Sequence, residues 1–181
     1  LLIVALGPGL ADGHRSLPVA VSVRQRATFA RRYFKMPIRE ITKSRGIIMP
    51  SFDADTLKNF GAKLLVAAGA SEAEAETVAK YCVNANLVGH DSHGIILILS
   101  YVQRIKVGHI VPGASWDIVQ ESPTTTVIDG NWGFGFVVTE RAMAYTIEKA
   151  KTSNVAAATV FRQSHIGRLA TYPLMAIEEG M

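Results

Sequence analysis

Two short segments of the chain carry side chains that could transfer protons. Residues 90–94 are His-Asp-Ser-His-Gly, and residues 164–167 are Ser-His-Ile-Gly. Histidine gains and loses a proton near neutral pH, so it is the side chain best suited to general acid and base catalysis. We therefore hypothesise that His93 and His165 converge on one reacting centre in the folded protein.

The second segment follows a predicted buried strand and precedes a predicted helix. An imidazole at this point would lie at a sheet edge beside the positive end of the helix, which favours a neutral His165 and an anionic ligand. A structural role, in which His165 caps the helix or bonds a loop carbonyl, fits the spacing equally well. Tyr101 falls on a nearby helical face, where its hydroxyl could reach the same site or its ring could pack in the core.

Metal binding is an alternative for the same residues. His90, Asp91 and His93 are close in sequence, and His165 could complete the centre of a metal-dependent hydrolase. The spacing does not match the zinc motif of two histidines with an intervening glutamate, and the chain has one cysteine, so we predict no metal. Asp91 and Ser92 are more simply interpreted as a loop cap and an anion or hydroxyl contact before the next helix.

A glycine-rich segment follows at residues 130–135, Gly-Asn-Trp-Gly-Phe-Gly. Its glycines do not have the order of a dinucleotide-binding motif, and no Gly-Lys-Ser/Thr follows them. We interpret this segment as a turn that leads into a helix, and the cofactor-binding residues stay unknown.

The charge of the chain is distributed unevenly. Residues 1–48 contain nine Lys/Arg and two Asp/Glu, whereas residues 49–181 contain ten and thirteen. We predict no nucleic-acid partner because the second part has no broad positive field. We also predict no membrane partner, because the apolar run at residues 1–6 is too short to span a bilayer. We interpret residues 1–48 as a basic leader, disordered or extraneous, since Met49 precedes a well-formed helix start.

Helical patterns dominate residues 49–113. Apolar residues at Leu57, Phe60 and Leu64 predict a helix from residue 52 that ends near residue 69, and a capping box at residues 71–74 starts a second helix. A third helix is predicted over residues 95–107. Cys82 lies in the apolar pattern of the second helix, which indicates a buried thiol in a reducing compartment.

Residues 114–181 change to a mixed pattern. Short runs at residues 117–121 and 124–128 predict strands, and a helix is predicted over residues 136–151. The apolar run at residues 155–161 predicts a strand covered on both faces, followed by a helix over residues 169–179. This order predicts an α/β sheet whose C-terminal edge carries residues 162–167, where ligands commonly bind.

Taken together, these residues resemble the malate/L-lactate dehydrogenase family of NAD(P)-dependent oxidoreductases, which also contains ureidoglycolate and sulfolactate dehydrogenases. The resemblance runs from about Met49 to the end. It includes residues 91–94, Tyr-Val-Gln-Arg at 101–104 with Gly108, the Asp129–Gly130 turn, and residues 164–169. It implies a helical N-terminal part followed by a mixed sheet with flanking helices, a fold distinct from the Rossmann fold.

The resemblance also implies a reaction. Hydride would pass between NAD or NADP and a small 2-hydroxy or 2-oxo acid, with His165 accepting the hydroxyl proton and with Ser92, His93 and Tyr101 holding the substrate. Some members use the earlier histidine as proton donor, which leaves the roles of His93 and His165 open. A cytoplasmic homo-oligomer, typically a homodimer, is the implied assembly.

Two departures from the family pattern stand out. Leu97 occupies the position where the family usually has an arginine that binds the substrate carboxylate, so a charged hydrogen-bond donor is missing. The resemblance further implies that the chain is truncated, with most cofactor contacts beyond Met181. We therefore expect weak NAD(P) binding by this chain, and a non-catalytic remnant is a third hypothesis.

Overall fold

The computed structural model describes residues 2–6 and 51–181, and all the strands and helices of these residues belong to one unit. We number them in chain order. The strands are β1 (Leu2–Leu6), β2 (Asp117–Glu121), β3 (Thr125–Gly133) and β4 (Val155–Gln163). The helices are α1 (Ala54–Ala67), α2 (Glu72–Leu87), α3 (Ile98–Lys106), α4 (Gly135–Ser153) and α5 (Thr171–Glu178).

The four described strands form one mixed sheet in the order β1-β4-β3-β2. β3 and β4 are parallel, as expected for two strands joined by the crossover helix α4, while β1 and β2 pair antiparallel at the two edges. One face of the sheet packs against α4 and α5 to form a core around Ile128, Ala142 and Ile147. The predicted α/β fold, with a helical N-terminal part and a mixed sheet, is confirmed.

The prediction that both faces of β4 are covered was wrong. Ala156, Ala158 and Val160 are buried, but Val155 and Phe161 are 39% and 41% exposed. In the described part of the chain, helices cover one face of the strand only. An unbroken apolar run does not distinguish these cases, because alanine and valine are tolerated on either face of a sheet.

The first residues of the predicted leader are part of the sheet. Leu2–Leu6 forms β1, in which Ile3 pairs opposite Ala158, and the side chains of Ile3 and Ala5 are buried. The expectation of a disordered or extraneous leader therefore does not hold for these five residues. The side chains of Ile3 and Ala5 complete the core beside α4, which the basic composition of the leader as a whole did not reveal. The rest of the predicted leader, residues 7–48, lies outside the described residues.

Local capping signals position the first two helices as predicted. The Asp53 carboxylate accepts a hydrogen bond from the Thr56 amide at 2.9 Å at the start of α1. At the start of α2, the Glu74 carboxylate accepts from the Ser71 amide at 3.1 Å and the Ser71 hydroxyl accepts from the Glu74 amide at 3.3 Å. The capping box is therefore confirmed.

The predicted buried face of α1 was partly wrong. Phe60 is 59% exposed, whereas Gly61 and Leu65 are buried against the neighbouring helices. Gly61 has no side chain, so Ile95 can approach the backbone of α1. The buried face of α1 is therefore shifted by one residue from the predicted face. Cys82 is buried in α2 as predicted, and burial raises the pKa of its thiol to about 12.

The predicted third helix is shorter than its sequence pattern. Two single 3₁₀ turns, Asp91–His93 and Ile95–Leu97, precede α3, which begins only at Ile98. Gly94 between them is extended, so the helical hydrogen bonds cannot run through it. None of the five described helices combines the length and apolar character needed to cross a membrane.

Candidate active site

The two histidine segments meet in the folded chain. The ring centroids of His93 and His165 are 5.4 Å apart, and the His90 ring lies 4.3 Å from that of His93. The hydroxyl of Tyr101 lies 2.8 Å from Nδ1 of His165. The hypothesis that the distant imidazoles converge is therefore confirmed, and the contact of Tyr101 with the site favours the first of its two interpretations.

Asn86 holds the segment that carries Ser92 and His93. Its amide nitrogen donates to Asp91 Oδ1 at 2.6 Å, and its amide oxygen accepts from the Ile95 backbone at 2.8 Å. A Cβ at Gly94 would collide with the Asn86 side chain, so glycine is required there. Asp91 therefore bonds back to α2 instead of capping the next helix. Sequence reasoning missed Asn86, although an asparagine in the last turn of a helix is a signal for such bonding.

The Ser92 hydroxyl is the nearest polar partner of His93. Its Oγ lies 3.0 Å from His93 Nδ1, so one of the two groups donates to the other. This contact orients the imidazole through Nδ1, so that Nε2 is the ring nitrogen not used by Ser92. Both side chains are at least partly accessible, as substrate contacts must be.

Tyr101 is fixed by packing and presents only its hydroxyl to the site. Its side chain is 2% exposed, and its ring meets the Phe136 ring edge-on with centroids 5.7 Å apart. Phe136 also packs edge-on against His165 at 6.1 Å. Burial raises the pKa of the Tyr101 phenol, which stays protonated at neutral pH.

Ser164 binds the loop that carries His165 to the start of α4. Its hydroxyl donates to the Gly133 carbonyl and accepts from the Gly135 amide, both at 2.9 Å. A Cβ at Gly135 would come within 3.0 Å of the carbonyl oxygens of Ser164 and His165, closer than real Cβ atoms approach. The glycine therefore permits the close passage of two chain segments, a role that its place in a predicted turn did not reveal.

The electrostatic environment keeps the His165 imidazole neutral. Burial lowers the pKa of His165 below its ordinary value of 6.5, and the charges of His93 and Arg104 lower it further. The neutral state of His165 agrees with the sequence analysis, but its cause is burial and not the positive end of the following helix. The helix that was expected to act on the ring, α5, begins only at Thr171.

An ion pair that the sequence analysis missed lies just before His165. The Asp129 carboxylate accepts hydrogen bonds from Arg162 Nε, at 2.9 Å, and from a second nitrogen of the same guanidinium. It also accepts one from the Asn131 backbone amide at 2.9 Å. Arg162 and Asn131 both have a φ of 45°, in the left-handed region. The predicted turn at Asp129 and Gly130 was wrong, since both residues lie inside β3.

The described residues resemble a family of known enzymes. The malate/L-lactate dehydrogenase family model matches residues 52–181. The chain belongs to this family. It is 42% identical to hydroxycarboxylate dehydrogenase B of Escherichia coli O157:H7 over 118 residues, which cover 65% of this chain and 33% of the relative. It is 37% identical to malate dehydrogenase of Pyrococcus abyssi over 127 residues, or 70% of this chain and 35% of the relative.

Solved structures of this family have the same fold. Malate dehydrogenase from Pyrococcus horikoshii OT3 superposes with a TM-score of 0.71 at 33% identity, covering 76% of this chain and 40% of that one. Sulfolactate dehydrogenase from Methanocaldococcus jannaschii superposes with a TM-score of 0.68 at 35% identity, covering 70% and 37%. The chain thus spans about a third of the length of the curated relatives that it matches.

The metal-centre alternative finds no support in the described part of this family member. Within residues 2–6 and 51–181, no three His, Cys, Asp or Glu side chains are grouped as metal ligands. The Asp91 carboxylate bonds to Asn86, and the His165 Nδ1 bonds to Tyr101.

Leu97, the departure from the family pattern, contributes no charge to the site. It lies in the turn Ile95–Leu97 and packs half-buried against the core of the helical part. Any carboxylate bound near Tyr101 must therefore find its cation elsewhere.

Proposed function

We propose that the protein acts as a dehydrogenase that interconverts a small 2-hydroxy acid and the matching 2-oxo acid, with NAD or NADP as the hydride carrier. The observation that carries the proposal is the contact between Tyr101 and His165 beside His93. Relatives named hydroxycarboxylate, malate and sulfolactate dehydrogenase support the choice of substrate class.

His165 serves as the proton acceptor in this proposal. When Nδ1–H donates to the Tyr101 hydroxyl oxygen, the lone pair of Nε2 is free to take the proton of the substrate hydroxyl. The depressed pKa keeps that lone pair available at neutral pH. His165 would take the hydroxyl proton, and a bound nicotinamide ring would supply the acceptor for the hydride of the same carbon.

His93 and Ser92 hold the substrate oxygen in place. If Ser92 donates to His93 Nδ1, the neutral His93 carries its proton on Nε2 and can donate it to the substrate oxygen. We assign the acceptor role to His165 because burial lowers the pKa of its ring and because it bonds to a fixed tyrosine. His93 is then a hydrogen-bond donor that positions the oxygen.

The glycine-rich segment at residues 130–135 does not provide a cradle for the nucleotide. In the glycine-rich segment, the space beside Gly130 is filled by Val138 at 3.0 Å and that beside Gly133 by the Gly130 carbonyl at 3.1 Å. These glycines serve contacts within the protein. We propose that the nucleotide contacts come from residues outside those described, and we expect the 181-residue chain alone to bind NADH weakly.

We also propose that copies of the protein associate, as dimers, in the cytoplasm. β1 and β2 are edge strands, and every residue of β2 is exposed, including Ile118 and Val119. Such edges favour association with another chain. The buried free thiol of Cys82 suits a reducing compartment. Sedimentation of the purified protein at several concentrations tests the dimer.

Substitution of the proposed base tests the function. In the intact protein, His165→Asn should lower kcat for lactate, malate or sulfolactate oxidation by roughly a hundred- to ten-thousandfold. NADH binding, followed by fluorescence, should be unchanged. His109→Asn is the matched control, because the His109 side chain is exposed and the backbone bond from its amide to the Arg104 carbonyl is kept in the variant. Equal turnover by His165→Asn and the original protein would end the assignment.

A further inference from the structure

Three residues at the reacting centre, His165, Tyr101 and Ser92, supply no positive charge at neutral pH. His165 is held neutral, Tyr101 is a protonated phenol, and Ser92 is uncharged. A carboxylate that enters a partly buried site is strongly disfavoured unless a cation or several donors compensate it. If the proposed function is right, the substrate brings such a carboxylate, so a cation must lie within reach.

Arg104 is placed to supply this charge. It lies on α3 three residues after Tyr101, so the two side chains share one helix face. Helical side chains lean towards the N-terminus, which directs the Arg104 side chain back over the turn that contains Tyr101. Since the Tyr101 hydroxyl reaches His165, this face of α3 borders the site.

The guanidinium of Arg104 is also free to bind a ligand. The side chain is exposed and forms no hydrogen bond or ion pair with any described residue, unlike Arg162, which is paired with Asp129. Its positive charge lowers the pKa of both His165 and Tyr101. The charge of Arg104 therefore acts on both His165 and Tyr101.

Other cations fit less well. Lys106 lies in the same last turn of α3 but two residues further on, which turns it about 200° around the helix axis. Arg168 follows His165 closely in sequence, yet the charges that act on His165 belong to His93 and Arg104. Leu97, four residues before Tyr101, is apolar.

We propose that Arg104 binds the substrate carboxylate and thereby selects 2-hydroxy acids over uncharged alcohols. The planar guanidinium can donate two parallel hydrogen bonds to a carboxylate. Bound in this way, the carboxylate lies beside the Tyr101 hydroxyl, and the neighbouring carbinol faces His165. This assignment rests on the proposed function for the identity of the ligand but is tested by binding alone.

The test compares two small probes that differ in one charged group. Oxamate carries a carboxylate next to its amide carbonyl, and oxamide replaces that carboxylate with a second neutral amide. Calorimetry on the intact protein, with and without NADH or NADPH, measures both. We expect Arg104→Met to weaken oxamate binding roughly ten- to hundredfold, because a charged hydrogen-bond partner is lost, and to leave oxamide binding unchanged.

Two further variants separate a binding role from a structural one. Arg104→Lys should recover part of the oxamate affinity, because it keeps the charge but not the two parallel bonds. Lys106→Met removes a charge from the other side of α3 and should leave oxamate affinity within about twofold, as is usual for exposed charges. Thermal unfolding of each variant checks that the fold is intact.

The outcomes distinguish the two proposals. Equal oxamate affinity in Arg104→Met and the original protein, or no oxamate binding by the original protein, would overturn the assignment of Arg104. Loss of oxamate binding in Arg104→Met, together with an absence of hydride transfer by the original protein, would retain Arg104 as a carboxylate site and overturn the dehydrogenase function. Loss of oxamide binding as well would indicate a collapsed site and count against a specific carboxylate contact.

Discussion

The Tyr101 hydroxyl and the His165 Nδ1 atom lie 2.8 Å apart, although 64 residues separate them in the chain. Tyr101 belongs to the helical part and His165 to the loop after the last strand of the sheet. The contact therefore joins the two halves of the described structure at the candidate base. When His165 Nδ1 carries the proton and donates it to the Tyr101 oxygen, Nε2 is available to accept a proton.

Removal of this hydroxyl should weaken catalysis more than folding. Tyr101→Phe keeps the ring contact with Phe136 but leaves His165 Nδ1 without its partner. We expect kcat to fall about tenfold or more and the free energy of unfolding to fall by about 0.5–1.5 kcal/mol. Steady-state kinetics and denaturant unfolding measure the two effects. Tyr145→Phe is the control, since the Tyr145 hydroxyl bonds to Glu121 instead of a site residue. An unchanged kcat in Tyr101→Phe would show that the bond between Tyr101 and His165 has no role in catalysis.

The pH dependence of the two reaction directions should be opposite. Oxidation needs a neutral His165, whose pKa is depressed below 6.5, so kcat should be level above that pH and fall as the pH drops through the lowered pKa. Reduction of the 2-oxo acid needs the protonated ring and should accelerate over the same range. Arg104→Met should move both profiles to higher pH, because the charge of Arg104 helps to depress the pKa. Profiles that run in parallel in the two directions would contradict His165 as the proton carrier.

The close passage at Gly135 should not tolerate a larger side chain. In Gly135→Ala, the new Cβ would press against the carbonyl oxygens of Ser164 and His165 and displace the catalytic loop. We expect a loss of about 1–3 kcal/mol in unfolding free energy and a drop in kcat of at least tenfold. Gly69→Ala provides the comparison, since it has a strained φ of 109° but no atom within 4 Å of the new Cβ. It should lower stability without changing kcat. If Gly135→Ala had the kcat of the original protein, the loop that carries His165 would have to adjust to the new Cβ without loss of function.

The pair of Asp129 and Arg162 should position the loop without taking part in the reaction. Arg162→Met removes the donors that hold the left-handed backbone before His165. We expect kcat to fall about tenfold while KM changes little, because the base is misplaced but the substrate contacts remain. Arg141→Met is the control, because Arg141 lies on α4 and packs over the ring of Trp116, just before β2.

Acid unfolding provides a second measurement of this pair. Arg162 lowers the pKa of Asp129 below its usual 3.8, so the stabilisation that results is present above that pH and is lost as the pH falls through the lowered pKa. The difference in unfolding midpoint between Arg162→Met and the original protein should therefore shrink with acidification. A constant difference across that range would show that the pair contributes through packing alone.

The sequence by itself determined the helix starts, the positions of most strands and the residues capable of chemistry. The capping box at Ser71, the buried Cys82 and the histidines at positions 93 and 165 could be predicted because each depends on residue types within one or two turns of chain. Side-chain oxygens cap the nearest free amides, and apolar spacing follows the period of the local backbone. The convergence of the histidines was a hypothesis that the order of the elements supported.

Only the tertiary structure decided which distant groups meet. The burial of Ile3 in the sheet, the exposure of Phe161 and the pairing of Asp129 with Arg162 depend on strand register and on which face a helix covers. No local pattern contains that information, because the same apolar run satisfies a strand at the edge or the centre of a sheet. The low pKa of His165 has the same origin, since burial and neighbouring charges come from residues brought together by packing.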